Sequence, residues 1–192
     1  MTRLLGAVLA GGRSSRYGSD KAIALWQGKP LIEHVIAALR PMVDELVICG
    51  RDFGGRIGIP DRPAPGMGPL GGLNAALHHA AAHGFDVVIS AGCDTPLLPG
   101  ALLRQLRNSP DPAFVAALPV IGCWPARLAP ALDAFMAEHR KHSIKAWADR
   151  VAAAAIDWPV LPNVNEPGDL SVLGQTGTDT QNMISVGPKT QA

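Results

Sequence analysis

An apolar run at Leu4–Ala10 stops abruptly at Gly11-Gly12, and that junction constrains the fold more than any other feature of the chain. The run contains no polar side chain and does not alternate, so it reads as a strand buried on both faces, as in a parallel sheet. It is far shorter than the roughly 20 apolar residues of a membrane span, and it lacks the longer apolar stretch and cleavage site of a signal peptide. Behind it, strand and helix signals alternate. Pro30–Leu39 has Leu31, Val35, Ile36 and Leu39 at helical spacing. Glu45–Cys49 and Arg56–Pro60 read as strands on either side of a turn. Leu70–His83 is an Ala-rich helix stopped by Gly84, and Asp86–Ala91 is another strand. Gly100–Leu106 reads as a helix and Ala113–Leu118 as a strand. Such alternation implies an α/β fold with a mostly parallel sheet covered on both faces.

After Pro119 the pattern loosens. Arg127–His139 and Ser143–Val151 are expected helices, Ala152–Ile156 a short strand and Pro167–Leu173 a last helix. No repeat or linker divides the chain, so residues 1–173 are expected to form a single domain. Residues 174–192 are dominated by Gly, Thr, Gln and Ser, and are expected to be a disordered tail.

In open α/β sheets ligands bind beyond the carboxyl ends of the strands. Two chemically suggestive segments stand at such ends. The first is Leu9–Lys21, where paired glycines let the backbone approach a ligand and offer N–H groups. Arg13, Arg16 and Lys21 add the charge that a triphosphate requires, and Ser14 and Ser15 add hydroxyl donors. The spacing excludes a P-loop, because five residues separate Gly12 from Gly18 and Ser19 follows where that motif has lysine. The dinucleotide fingerprint is absent as well. The second segment is Cys93-Asp94-Thr95-Pro96. A carboxylate there could hold Mg²⁺, a hard ion that shares its oxygen ligands with phosphate. Asp94 could equally cap the following turn.

The net charge of +1 offers no general polyanion-binding surface, so nucleic acid is not an expected partner. Three scattered cysteines without a CxxC pair fit buried thiols in a reducing cytoplasm better than disulfides or a zinc site. The spacings His79/His83 and His139/His142 lack a completing carboxylate and read as solvated helix faces. Trp26, Trp124, Trp147 and Trp158 read as packing residues, and Arg140, Lys141 and Lys145 as a small basic cluster on a solvated face.

The pattern over Leu9–Lys21 resembles that of the molybdenum cofactor guanylyltransferases, within the wider nucleotidyltransferase superfamily. Further matches are Gly28-Lys29-Pro30-Leu31, Gly68–Leu73, Cys93–Pro96, and Asn163-Val164-Asn165 followed by Pro167 and Asp169-Leu170. They cover nearly the whole chain up to Leu173. The resemblance implies a Rossmann-like three-layer sandwich of the nucleotide-diphospho-sugar transferase type. It implies transfer of GMP from GTP to the terminal phosphate of molybdopterin, in the cytoplasm and away from membranes, with Mg²⁺ as cofactor. Other proteins of molybdenum-cofactor biosynthesis and molybdoenzyme chaperones are implied as possible partners.

By the same resemblance Lys21, Asp94 and Arg16 are catalytic, and Asp94 holds the metal. Nucleotide contacts fall on Leu9, Ala10, Gly11, Gly12, Arg13, Ser14, Lys21, Cys49, Asp61, Gly71 and Asp94, and pterin contacts on Asn163 and Asn165. The chain departs from the family at Cys49, where an Asn is frequent, and at Leu118, where a His is usual. On residues alone three alternatives stay open: a molybdopterin cytidylyltransferase, a sugar-phosphate nucleotidyltransferase, and a non-catalytic nucleotide-binding chaperone that delivers cofactor.

Overall fold

A computed structural model describes residues 1–11, 20–56, 58–138, 143–171 and 173. In chain order the strands and helices are β1 (Leu4–Leu9), β2 (Leu25–Trp26), β3 (Lys29–Pro30), α1 (Leu31–Leu39), β4 (Glu45–Cys49) and α2 (Gly68–Ala82). They continue as β5 (Val87–Gly92), α3 (Gly100–Arg107), β6 (Ala113–Val115), β7 (Leu118–Pro125), α4 (Ala129–Glu138), α5 (Ile144–Arg150) and β8 (Ala154–Ile156). Six strands form one sheet in the order β4-β1-β5-β7-β6-β8, and β2 and β3 form a separate small hairpin.

Every residue of β1 is buried, as its unbroken apolar run requires. It pairs in parallel with β4 on one side and β5 on the other. Its side chains alternate between two cores. Leu5, Ala7 and Leu9 pack with Leu70, Leu73 and Leu77 of α2 and with α4 and α5, while Val8 and Ala10 pack with Ile32, Val35 and Leu39 of α1 and with α3. Helices therefore cover both faces and the sheet is the middle layer, as expected from the sequence.

The chain leaves β1 through α1 to β4, then crosses back through α2 to β5 on the other side of β1. That reversal opens a crevice at the carboxyl ends of β1 and β5. The two strands end level, with Leu9 opposite Gly92.

The far half of the sheet departs from the expectation. Ala113–Leu118 is not one strand. The chain turns after Val115 and returns as the eight-residue β7, antiparallel to both β6 and β5. Pro119 and Gly122 had hidden this strand, since both residues weaken strand signals. A Cβ at Gly122 would stand 2.7 Å from the Ala113 carbonyl oxygen, so glycine is what allows the two strands to meet. The expected strand Arg56–Pro60 is reduced to isolated bridges, one of them joining Ile59 to Cys49. Helix α2 starts two residues before the expected Leu70, with Pro69 in its first turn, where the missing N–H costs nothing.

A third, smaller cluster joins Trp26, Leu31, Val164 and Leu173. It seats the segment around Val164 beside the hairpin and the end of β5.

Candidate active site

The crevice is lined by Leu9, Ala10 and Gly11 after β1, by Gly92, Cys93 and Asp94 after β5, by Asp20 and Lys21, by Asp61, and by Gly68, Pro69 and Gly72 of α2. The two segments that the sequence set at strand ends thus face one another. Backbone hydrogen bonds fix their level: Cys93 N–H donates to the Leu9 carbonyl at 3.2 Å, and Ala10 N–H to that of Cys49 at 3.0 Å. The amino end of α2 opens into the crevice and adds a partial positive charge suited to an anion.

Lys21 is the hub. Its Nζ donates to Asp94 Oδ2 at 2.8 Å and to Asn165 Oδ1 at 3.3 Å. Side chains 73 and 144 residues from Lys21 thereby meet on one ammonium group. Asp20 holds Lys21 in place. Its carboxylate caps the short 3₁₀ turn Lys21–Ile23 through Ala22 N–H at 3.2 Å, and also binds the Arg51 guanidinium. Arg51 keeps the Asp20 carboxyl below the usual carboxylate range.

Asp94 is tied in turn to the segment after β8, where Val164 N–H donates to the Asp94 carbonyl at 2.8 Å. Among the described residues no group of three or more His, Cys, Asp or Glu is arranged to hold a metal. Asp94 offers one hard carboxylate toward the crevice. That donor set fits Mg²⁺ completed by phosphate and water oxygens, and does not fit a fully protein-ligated ion.

Asp61 lies behind the glycines. It is 6% exposed, and its Oδ1 is buried without a hydrogen-bond partner among the described residues. Burial pushes its carboxyl above the usual range, against the opposing effect of a backbone hydrogen bond from Gly66. Glycines make this packing possible. A Cβ at Gly11 would stand 3.0 Å from both Asp61 carboxyl oxygens, and one at Gly50 would stand 2.3 Å from the Gly11 Cα. Gly50 also has a φ of 86°, a left-handed value that favours glycine.

The remaining sequence candidates divide. Gly12, Arg13, Ser14 and Arg16 lie outside the described residues, as do His139, Arg140, Lys141, His142 and the tail 174–192. Cys49 is fully buried in the core under α2, and burial drives its thiol far above the usual range. Its side chain is therefore not among those that line the crevice. Gly71 packs against Met67 and Asp61, and its carbonyl accepts Arg62 N–H at 3.1 Å. It supports the site without lining it. Cys93 does line the crevice, but burial pushes its thiol up to about 12, so it is protonated at neutral pH and no nucleophile.

Asn163 is half-buried two residues before Asn165. His79, expected on a solvated face, is half-buried and stacks on His83 with ring centroids 4.0 Å apart. Sequence reasoning missed Arg51, Gly50 and Asp169. Arg51 and Gly50 follow a strand end without any motif to mark them, and Asp169 was visible only as part of a motif.

A model of the MobA-like NTP transferase domain matches residues 6–161. The molybdenum cofactor guanylyltransferase of Cereibacter sphaeroides is 36% identical, over 88% of this chain and 94% of its own length. That of Sinorhizobium fredii is 34% identical, over 84% and 82% respectively. Among solved structures, the molybdopterin-guanine dinucleotide biosynthesis protein A from Archaeoglobus fulgidus superposes with a TM-score of 0.71 at 22% identity, over 91% of this chain and 99% of that one, a likeness of fold. With residues 6–161 matched and identity above 30% carried along most of its length, the chain belongs to the MobA-like NTP transferase family.

Proposed function

We propose that the protein transfers GMP from Mg²⁺-bound GTP to the terminal phosphate of molybdopterin, forming molybdopterin guanine dinucleotide and releasing pyrophosphate. The observation that carries this reading is the meeting of Lys21, Asp94 and Asn165 on one nitrogen. In this reading the three are a cation for phosphate, a carboxylate for the metal and an amide for a pterin edge. The reading takes residues 1–173 as one catalytic unit working in the cytoplasm. Among the described residues no helix is long and apolar enough to cross a membrane.

In this reading the triphosphate lies along the loop Leu9–Lys21, near the amino end of α2, with Lys21, Arg13 and Arg16 neutralising its charge. Asp94 would hold Mg²⁺, which when bound would supply charge neutralisation on the phosphates. Asp61 accepts from the N1–H and exocyclic amine of guanine, which present donors where a buried carboxylate presents acceptors. Asn163 and Asn165 read the pterin through amide donors and acceptors. The acceptor phosphate is already ionised, so it attacks the α-phosphorus without a strong general base, and catalysis rests on positioning and electrostatics. Other cofactor-biosynthesis proteins would supply the pterin and molybdoenzyme chaperones would take the product.

A nucleotide panel tests this. Purified protein is incubated with molybdopterin and each Mg-nucleoside triphosphate in turn, and products are identified by mass. The guanine dinucleotide is expected with GTP. A cytosine dinucleotide as the main product would overturn the reading.

A further inference from the structure

Segment 163–166 contains no helix or strand, yet three consecutive backbone amides in it are fixed. Val164 N–H donates to the Asp94 carbonyl at 2.8 Å. The N–H groups of Asn165 and Glu166 both donate to Asp169 Oδ2, at 2.7 and 2.9 Å. The Val164 side chain is fully buried against Trp26 and Leu31, so the segment is anchored just before Asn165. That anchor alone leaves Asn165 free to turn about its own φ and ψ. The Asp169 carboxylate removes this freedom, because it grips the amide on each side of the Asn165 Cα. Only then is the exposed Asn165 side chain held where its Oδ1 accepts from Lys21 at 3.3 Å.

We propose that Asp169 is a positioning residue for acceptor recognition, fixing the Asn165 amide beside Lys21 and Asp94. The identity of the acceptor rests on the guanylyl-transfer reading above. One carboxylate oxygen accepting two amides gives charge-assisted bonds, stronger than neutral ones. Those two bonds, Asn165 first, hold the Asp169 carboxyl below the usual range, which keeps it ionised. Asp169 itself touches neither the phosphates nor the pterin in this scheme and acts through Asn165.

The test is a double-mutant cycle on Asp169→Ala and Asn165→Ala, read as KM for molybdopterin alongside GTP affinity by calorimetry. Asp169→Ala is expected to raise the acceptor KM about tenfold or more, as misplacement of a recognition group does. GTP affinity should stay within about twofold. In the Asn165→Ala background the Asp169 substitution should add almost nothing, because the two residues form one unit. Asp169→Asn keeps an acceptor oxygen without the charge and should fall between; it carries the same cycle if the alanine variant does not fold. An unchanged acceptor KM, or full additivity with Asn165→Ala, would overturn the proposal. Amide hydrogen exchange separates this outcome from failure of the guanylyl-transfer reading. If no GMP reaches molybdopterin, faster exchange at Asn165 and Glu166 in the variant still supports the positioning role, and unchanged exchange overturns it.

Discussion

Asp61 shows at the residue level what the site costs. Its carboxyl is pushed up by burial, so ionising it at neutral pH is unfavourable in the folded chain. Asp61→Asn is expected to stabilise the nucleotide-free protein at pH 7, while erasing the preference for guanine over other bases. The sign with pH follows. In the wild type the cost is absent below the ordinary carboxylate range, where folded and unfolded forms are both protonated, and it is complete above the raised folded value. Thermal midpoints measured across pH should therefore converge for the two proteins on acidification and separate towards neutrality. A variant less stable than wild type at pH 7 would refute this.

Lys21 and Asp94 belong to the same scale. Their ion pair at 2.8 Å is half-exposed at most, with side chains 14% and 24% accessible. Lys21→Ala and Asp94→Ala should each lower turnover by a factor of about 100 or more with little loss of stability, since neither side chain fills the core. A further consequence is readable without turnover. Lys21 occupies an oxygen that a metal needs, so Lys21→Met should strengthen Mn²⁺ binding to the nucleotide-free protein, as followed by electron paramagnetic resonance. Weaker binding in that variant would count against Asp94 as the metal residue.

At the level of elements, the site is made by where strands stop. Gly11 and Gly50 follow β1 and β4 and nearly touch, and Asp61 fits against both. Gly50→Ala would force a positive φ on a side chain and set its Cβ 2.3 Å from the Gly11 Cα. It should cost about 1–3 kcal/mol and weaken GTP binding more than a surface substitution of similar cost. Denaturant unfolding and calorimetry check both parts, and normal GTP affinity in a folded Gly50→Ala protein would contradict the assignment.

The amino acid pattern made β1, β4 and β5 legible as short apolar runs, and α2 as an Ala-rich stretch stopped by Gly84. It also set Lys21 and Asp94 at two strand ends. It could not reveal that β7 returns antiparallel, because Gly122 is there to let the Ala113 backbone approach, a contact between distant segments. Nor could it reveal Asp169 or Arg51, whose partners are defined only once the loops have closed. The depth at which Cys49 sits under α2 was not legible either, because it is decided by sheet register.

Across the whole molecule, the reversal of chain direction about β1 is what gathers the site. One side of the crevice comes from Leu9–Gly11 with Asp20 and Lys21, and another from the end of β5; the segment that the Trp26 cluster anchors meets them through Lys21 and Asp94. The acceptor-binding segment is thus fastened to the nucleotide site by Val164 to Asp94 and Asn165 to Lys21.

The most direct test of the central claim is a crystal structure of the protein with Mg²⁺ and a GTP analogue whose α,β-bridge cannot be cleaved. The account predicts phosphates within hydrogen-bonding reach of Lys21, the metal on Asp94, and the guanine edge against Asp61. A nucleotide bound with its phosphates away from Lys21 and Asp94, or with its base remote from Asp61, would contradict it.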